Sequence, residues 1–227
     1  MSGTFKYAVA ALLAVGGASA VQAATLQSLI TSGTPQTEGN LIYSNFSASG
    51  LNAADIAFSF SPSGATITFN AGWNTATGTA GSSTISYTIA TTNGYIVTAA
   101  EASMAGYQAV GNAAISVNES VIPGGTNALY YDTTGIYNPG PPSSEPTTVT
   151  ASKNTSTLSF GGLTSLAVTD TINVSALDIH SYAAVSDVEN TFTATPGAGG
   201  PPVPEPMSVA LLTPALAGLA LRKRRAR

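Results

Sequence analysis

Cysteine is absent from all 227 residues. The chain therefore has no disulfide framework, no thiol nucleophile and no thiolate-bound metal. Histidine occurs once, as His180. A single imidazole without cysteine does not make a usual zinc site. A Ser-His-Asp arrangement would have to be built on His180, whose neighbours Asp178 and Ser181 are merely local in sequence. The Gly-x-Ser-x-Gly elbow that presents a nucleophilic serine does not occur. These absences point away from an enzyme, and no catalytic residue, metal or cofactor is expected. Positive charge is almost as scarce. Lys and Arg number 7 in total, five of them within Arg222–Arg227, which leaves Lys153 alone between Ala24 and Pro202. Nucleic acid requires clustered cations to displace its counterions and is excluded as a partner. What fills the chain instead is Ser, Thr, Asn, Ala and Gly, with charged residues at 8%. A neutral, hydroxyl-rich surface of this kind suits a hydrated sugar matrix.

The two ends are built differently from the middle. At the start, Lys6 precedes an apolar run from Tyr7 to Val15, followed by Ala18-Ser19-Ala20 and Val21-Gln22-Ala23. This order of cation, short apolar run and small residues reads as a secretory signal peptide over residues 1–23. Signal peptidase would cut between Ala23 and Ala24, or alternatively after Ala20. At the other end, Val203-Pro204-Glu205-Pro206 leads into apolar Met207 to Leu221 and then Arg222-Lys223-Arg224-Arg225-Ala226-Arg227. Fifteen apolar-run residues rise about 22 Å as a helix against a hydrocarbon core of roughly 30 Å, so the predicted transmembrane helix is short. Pro214 in its middle removes one helical hydrogen bond. The basic residues Arg222, Lys223, Arg224, Arg225 and Arg227 resist translocation and are expected to stay cytoplasmic. The prolines flanking Glu205 hold that segment extended, the form in which a peptide enters an enzyme's groove.

Pro204-Glu205-Pro206, a short apolar helix and an Arg-rich end, in that order, resemble the PEP-CTERM sorting signal of Gram-negative bacteria that make exopolysaccharide. The resemblance implies recognition by exosortase, a multi-pass membrane protease that cuts near Pro-Glu-Pro and passes the protein to the exterior. It covers about the last twenty-five residues. Ala184-Val185-Ser186-Asp187-Val188-Glu189-Asn190-Thr191-Phe192-Thr193 is similar to segments of many PEP-CTERM proteins, a likeness that implies no reaction. An uncleaved tail anchor is the alternative for the C-terminal end.

Between the ends, strand signals dominate. Thr84-Ile85-Ser86-Tyr87-Thr88-Ile89 alternates strictly, with Ile85, Tyr87 and Ile89 on one face. Asp55 to Ala71 reads as a hairpin turning at Ser61-Pro62-Ser63-Gly64. Leu166, Val168, Ile172 and Val174 share a parity that Asp170 interrupts, which suggests a bulge, an edge or a bound cation. Further strands are predicted at Leu41–Ser47, Tyr95–Met104, Ala109–Val121, Ala128–Asp132, Thr147–Ala151, Thr157–Phe160 and Asn190–Thr195. No amphipathic helix is expected between the ends. About ten short strands at roughly ten- to fifteen-residue spacing predict an all-β fold, a single jelly-roll-like β-sandwich over residues 24–196. Residues 197–202 form a Gly/Pro linker, and residues 203–227 the sorting signal.

Several residues carry alternative chemistries. Asp170, Asp178, Asp187 and Glu189 are candidate calcium ligands, though no EF-hand spacing accompanies them. Trp73 and the tyrosines Tyr87, Tyr95, Tyr107, Tyr130, Tyr131 and Tyr137 are candidate sugar-stacking platforms, with Trp73 equally suited to closing a core. Tyr130 and Tyr131 must face opposite ways in a strand. Asn45, Asn118, Asn154 and Asn173 begin Asn-x-Ser/Thr sequences. The expected protein is non-enzymatic. It crosses the inner membrane transiently and is then delivered to the cell surface or extracellular matrix as a structural or adhesive component of the exopolysaccharide, with exosortase, signal peptidase and possible exopolysaccharide contacts as partners. The alternatives are a secreted carbohydrate-active enzyme and a carbohydrate- or calcium-binding module. Replacing Glu205 by Ala, or deleting residues 222–227, is expected to leave a membrane-retained precursor. Cell fractionation with intact-mass measurement checks this, and normal amounts of mature protein outside the cell would exclude the sorting reading.

Overall fold

Alternation of apolar and hydroxyl side chains sets the backbone, since a two-residue period leaves one face dry and the other wet. A computed structural model describes residues 22–76, 79–92, 94–135, 148–177 and 181–198, without the side chains of Gln22 and residues 70–76. In chain order its elements are β1 (Gln22–Thr25), α1 (Leu26–Ser32), β2 (Gln36–Glu38), β3 (Leu41–Ser49), a 3₁₀ turn (Ala53–Asp55), β4 (Ile56–Ser61), β5 (Gly64–Ala76) and β6 (Ala80–Thr91). There follow β7 (Tyr95–Ala105), β8 (Gln108–Val110), β9 (Ala113–Ile122), β10 (Gly125–Thr134), β11 (Thr148–Lys153), β12 (Thr155–Leu163), β13 (Ser165–Ala176) and β14 (Tyr182–Pro196).

Two seven-stranded antiparallel sheets pack face to face as a β-sandwich. The first runs β1-β4-β5-β14-β7-β12, with β8 also paired to β14, and the second runs β11-β10-β9-β13-β6-β3-β2. The expected hairpin is present as β4 and β5, in register from Ile56 opposite Phe69 to Ser61 opposite Gly64. The predicted strand over Ala109–Val121 is two elements. Gly111, at φ +71°, separates β8 in the first sheet from β9 in the second, and upstream Gly106, at φ +59°, ends β7 so that the chain restarts as β8 farther along the same side of β14. A Cβ on Gly106 would stand 2.7 Å from the Ser186 Cβ, so only glycine fits there.

Two expectations are corrected. A helix does lie between the ends: α1 buries Leu26 and Leu29, is capped by the Thr25 side chain and stops at Gly33 in the left-handed region. Seven residues with apolar side chains three apart are too short to show a helical period. Asp170 marks neither a bulge nor an edge. It sits in the middle of β13, in continuous register with β6 on one side and β9 on the other. The hairpin, Leu166–Val174 and Thr84–Ile89 strands follow their predicted parity, with Ile85, Tyr87, Ile89, Leu166, Val168, Ile172 and Val174 all buried.

One part of the core is aromatic. Tyr43 and Phe46 of β3 and Tyr87 of β6 meet Phe58 and Phe60 of β4 across the gap between sheets. Ring centroids stand 5.0 Å apart for Tyr43–Phe60, 5.6 Å for Phe46–Phe58 and 5.8 Å for Phe58–Tyr87. Edge and tilted contacts at these distances suit the quadrupoles of the rings. Phe58 touches partners from both layers, so Phe58→Ala is expected to lose about 3–5 kcal/mol of stability. Urea unfolding followed by tyrosine fluorescence measures this, and a loss under about 1 kcal/mol would mean the layers close over the gap.

Candidate functional site

Strand parity carries polar side chains into the dry gap between the sheets, and four of them, two acids and two amides, lie in one region. Ile115, Val117, Glu119 and Val121 share the inner face of β9, as Val168, Asp170 and Ile172 do on β13. Register then places Asn127 of β10 opposite Glu119, and Glu119 opposite Asp170, so the three form one row across three adjacent strands. Asn190 reaches the row from β14 in the other sheet. Its Nδ2 donates to Asp170 Oδ2 at 2.8 Å and to the Tyr87 hydroxyl at 2.7 Å. Asn127 Nδ2 donates to Glu119 Oε2 at 2.6 Å and, more weakly, to the Ala100 carbonyl at 3.4 Å. Glu119, Asp170, Asn127 and Asn190 are each 0% exposed.

Two carboxyl groups facing one another on neighbouring strands repel when both are ionised, and low dielectric amplifies the cost. Burial raises the Glu119 carboxyl to about 7, with the Asn127 hydrogen bond pulling the other way. Burial likewise pushes Asp170 well above the usual carboxylate range, helped by the charge of Glu119 and opposed by Asn190. The Tyr87 hydroxyl is raised by burial first, then by Asp170 and Glu119. Lys153, the lone Lys or Arg of the body, is exposed and donates to Ser156 Oγ at 2.9 Å, so it does not neutralise the pair.

The outer faces differ from the interior and from one another. On the second sheet, register aligns Ser47, Ser86, Thr169, Ser120 and Thr126 in one row across five strands. The next row is Ser49, Thr84, Thr171, Asn118 and Ala128. Ser86 and Thr169 hydroxyls lie 3.0 Å apart, and Asn173 Nδ2 donates to Ser116 Oγ at 3.3 Å. No charged side chain lies on the outer face of β3, β6, β13 or β9 among the described residues. The outer face of the first sheet is acidic by contrast. Glu189 and Asp187 of β14 lie there, with Glu101 of β7 nearby opposite Thr191. Thr68 Oγ1 donates to Asp187 Oδ1 at 2.7 Å, and Thr157 Oγ1 to Glu101 Oε2 at 3.0 Å.

The candidate calcium ligands are therefore divided. Asp170 points into the gap, whereas Asp187 and Glu189 lie on the far side of the first sheet, and Asp178 is outside the described residues. No three His, Cys, Asp or Glu side chains gather as metal ligands among the described residues. His180, Tyr137, Pro204, Glu205, Pro206, Arg222, Lys223, Arg224, Arg225 and Arg227 also lie outside them, as does the Trp73 side chain. Ala23 and Ala24 belong to β1, paired with Ser59 and Phe58 of β4. Among the described residues no helix is long and apolar enough to cross a membrane. The described tyrosines make no flat exposed row. Tyr43 and Tyr87 are core, Tyr107 packs on Tyr131 at 4.7 Å, and Tyr130 is exposed on the outer face of β10. Sequence reasoning passes over Glu119, Asn127 and Asn190. Parity with Val117 and Val121 marks Glu119, and parity with Val188 and Phe192 marks Asn190, but the pairing that joins them is long-range.

A scan against protein-family models finds no match for this chain, and a search of the curated proteins finds none.

The buried pair makes stability pH-dependent in a definite direction. An unfolded Glu ionises near pH 4.3, whereas Glu119 in the folded chain holds its proton to about 7. The folded state therefore binds more protons between those values. Stability is fully present below about pH 4 and is lost as pH rises through 7. The loss for this group is roughly 3 kcal/mol by pH 8. In chelator-treated buffer, Glu119→Gln is expected to flatten the fall in melting temperature between pH 5 and pH 8 and to melt above the wild type at pH 8. An unchanged slope would mean that Glu119 is not the titrating group.

Proposed function

We propose that this chain is an exported structural or adhesive protein of an exopolysaccharide matrix, delivered by exosortase through its C-terminal signal. The uncharged outer face of β3, β6, β13 and β9 is the observation that carries the reading. Rows of hydroxyls and amides on four adjacent strands offer donors and acceptors to polyhydroxylated chains, without ions that would have to be desolvated. Repeated passage of the chain between the sheets supports a jelly-roll-like description of the strand order. The enzyme alternative is weaker, because the two carboxyls that register brings side by side, Glu119 and Asp170, are 0% exposed and closed to a polysaccharide.

The test follows where the protein goes and how it is processed. Wild type is expected in the biofilm matrix fraction, with termini near Ala24 and Glu205. A Ser120→Glu, Thr171→Glu variant puts two carboxylates on the neutral face. It is expected to keep those termini but move several-fold from matrix to free medium. Full-length protein confined to the membrane would overturn the delivery step. Undiminished matrix retention of the charged variant would overturn the role of the face.

A further inference from the structure

We propose that Glu119, Asp170, Asn127 and Asn190 form an internal site for a divalent, oxygen-preferring cation of the calcium type, held between the two sheets. The site stands apart from the export and matrix reading, and it rests on atoms left without partners. Glu119 Oε1, Asp170 Oδ1, Asn127 Oδ1 and Asn190 Oδ1 are all buried, and none receives a hydrogen bond from the protein. Buried polar atoms in native proteins nearly always have partners, so four orphans on two hydrogen-bonded pairs joined by the cross-strand pairing of Glu119 and Asp170 call for a common one. All four are acceptors, which additional acceptors cannot satisfy. Two carboxylates and two amide carbonyls are hard oxygen donors, and their combined charge matches a divalent ion. No nitrogen or sulfur ligand that would favour zinc or copper accompanies them.

The remaining atoms of the same groups are already engaged in the way a metal site requires. Asn127 Nδ2 holds Glu119 Oε2, and Asn190 Nδ2 holds Asp170 Oδ2, so the amide hydrogens fix one oxygen of each carboxyl and leave the other available. Tyr87 in turn bonds Asn190 at 2.7 Å and fixes that amide. The row is carried by the central strands β9 and β13, whose continuous register gives the ligands a rigid base. Calcium accepts irregular oxygen geometry and bidentate carboxylates, which suits two acids approached by amides from both layers. Of the four calcium candidates read from the sequence, Asp170 alone belongs to this row, and its partners are Glu119 and the two asparagines, not Asp187 and Glu189.

The test uses the full-length chain, stripped with EGTA and held at one pH near 8, with calcium chloride as the probe. A single Ca²⁺ per chain by calorimetry and a melting temperature raised by several degrees are expected, because an ion bound only by the folded state stabilises it. Terbium in place of calcium should give emission on tyrosine excitation. Tyr87→Phe should remove most of that emission while keeping the calcium-dependent rise in melting temperature. Asp170→Asn and Glu119→Gln are close in shape to the parent residues and remove the buried charge, so they are expected to fold. They should abolish the calcium increment, whereas Asp187→Asn and Glu189→Gln on the outer face should retain it. No calcium-dependent shift in the wild type would mean that protons alone neutralise the pair. A shift that survives both Asp170→Asn and Glu119→Gln would place the ion elsewhere. Either result overturns the proposal.

Discussion

A dry gap between two sheets tolerates a carboxyl only when its charge is cancelled, and this chain places two there side by side. Glu119 and Asp170 are cross-strand partners on the central strands of the second sheet. No basic side chain of the described body reaches them. The amides of Asn127 and Asn190 steady one oxygen of each carboxyl, and Asn190 ties the row to the opposite sheet and to Tyr87. Through Tyr87 the row is joined to the aromatic cluster of Phe46 and Phe58. The packing of the two layers is thus coupled to whatever neutralises the acids, whether protons or an ion from solution.

That coupling separates the inside of the sandwich from its outside. Two carboxyls are confined to the interior, whereas the outer face of β3, β6, β13 and β9 is neutral and hydroxylated among the described residues, with Asp132 and Lys153 only toward the β10–β11 edge. The first sheet carries Asp187, Glu189 and Glu101 on its outer face, with Asp187 and Glu101 held by neighbouring threonines. The division arises because alternate residues of β9, β13 and β14 answer to different solvents.

Strand order also bears on assembly. β13 lies in the middle of the second sheet and β14 in the middle of the first, although they are the last two strands in sequence. Neither sheet is complete until residues 165–196 are present, and most pairings join distant parts of the chain. Loop closure of this kind makes folding slow compared with local topologies.

Much of the fold is legible in short stretches. Thr84–Ile89, Leu166–Val174 and the β4–β5 hairpin follow from alternation and turn residues, because both act over a few bonds. Helix α1 escapes because Leu26, Leu29 and Ile30 span little more than one turn, too short to establish a period, and its Thr25 and Gly33 caps are common residues. Asp170 stands out as an acid on an apolar face. Glu119 has the same signature beside Val117 and Val121, but the meaning of either depends on the other. By itself, the order of residues determines which side chains of each strand share a face, the scarcity of cations and thiols, and the composition of the ends. Tertiary structure alone decides that Glu119 meets Asp170, that Asn190 comes from the other layer to hold it, and that Asp187 and Glu189 lie beyond reach. The reason is that parity is a property of neighbouring peptide units, whereas register between β9, β13 and β14 is set by packing of the whole core.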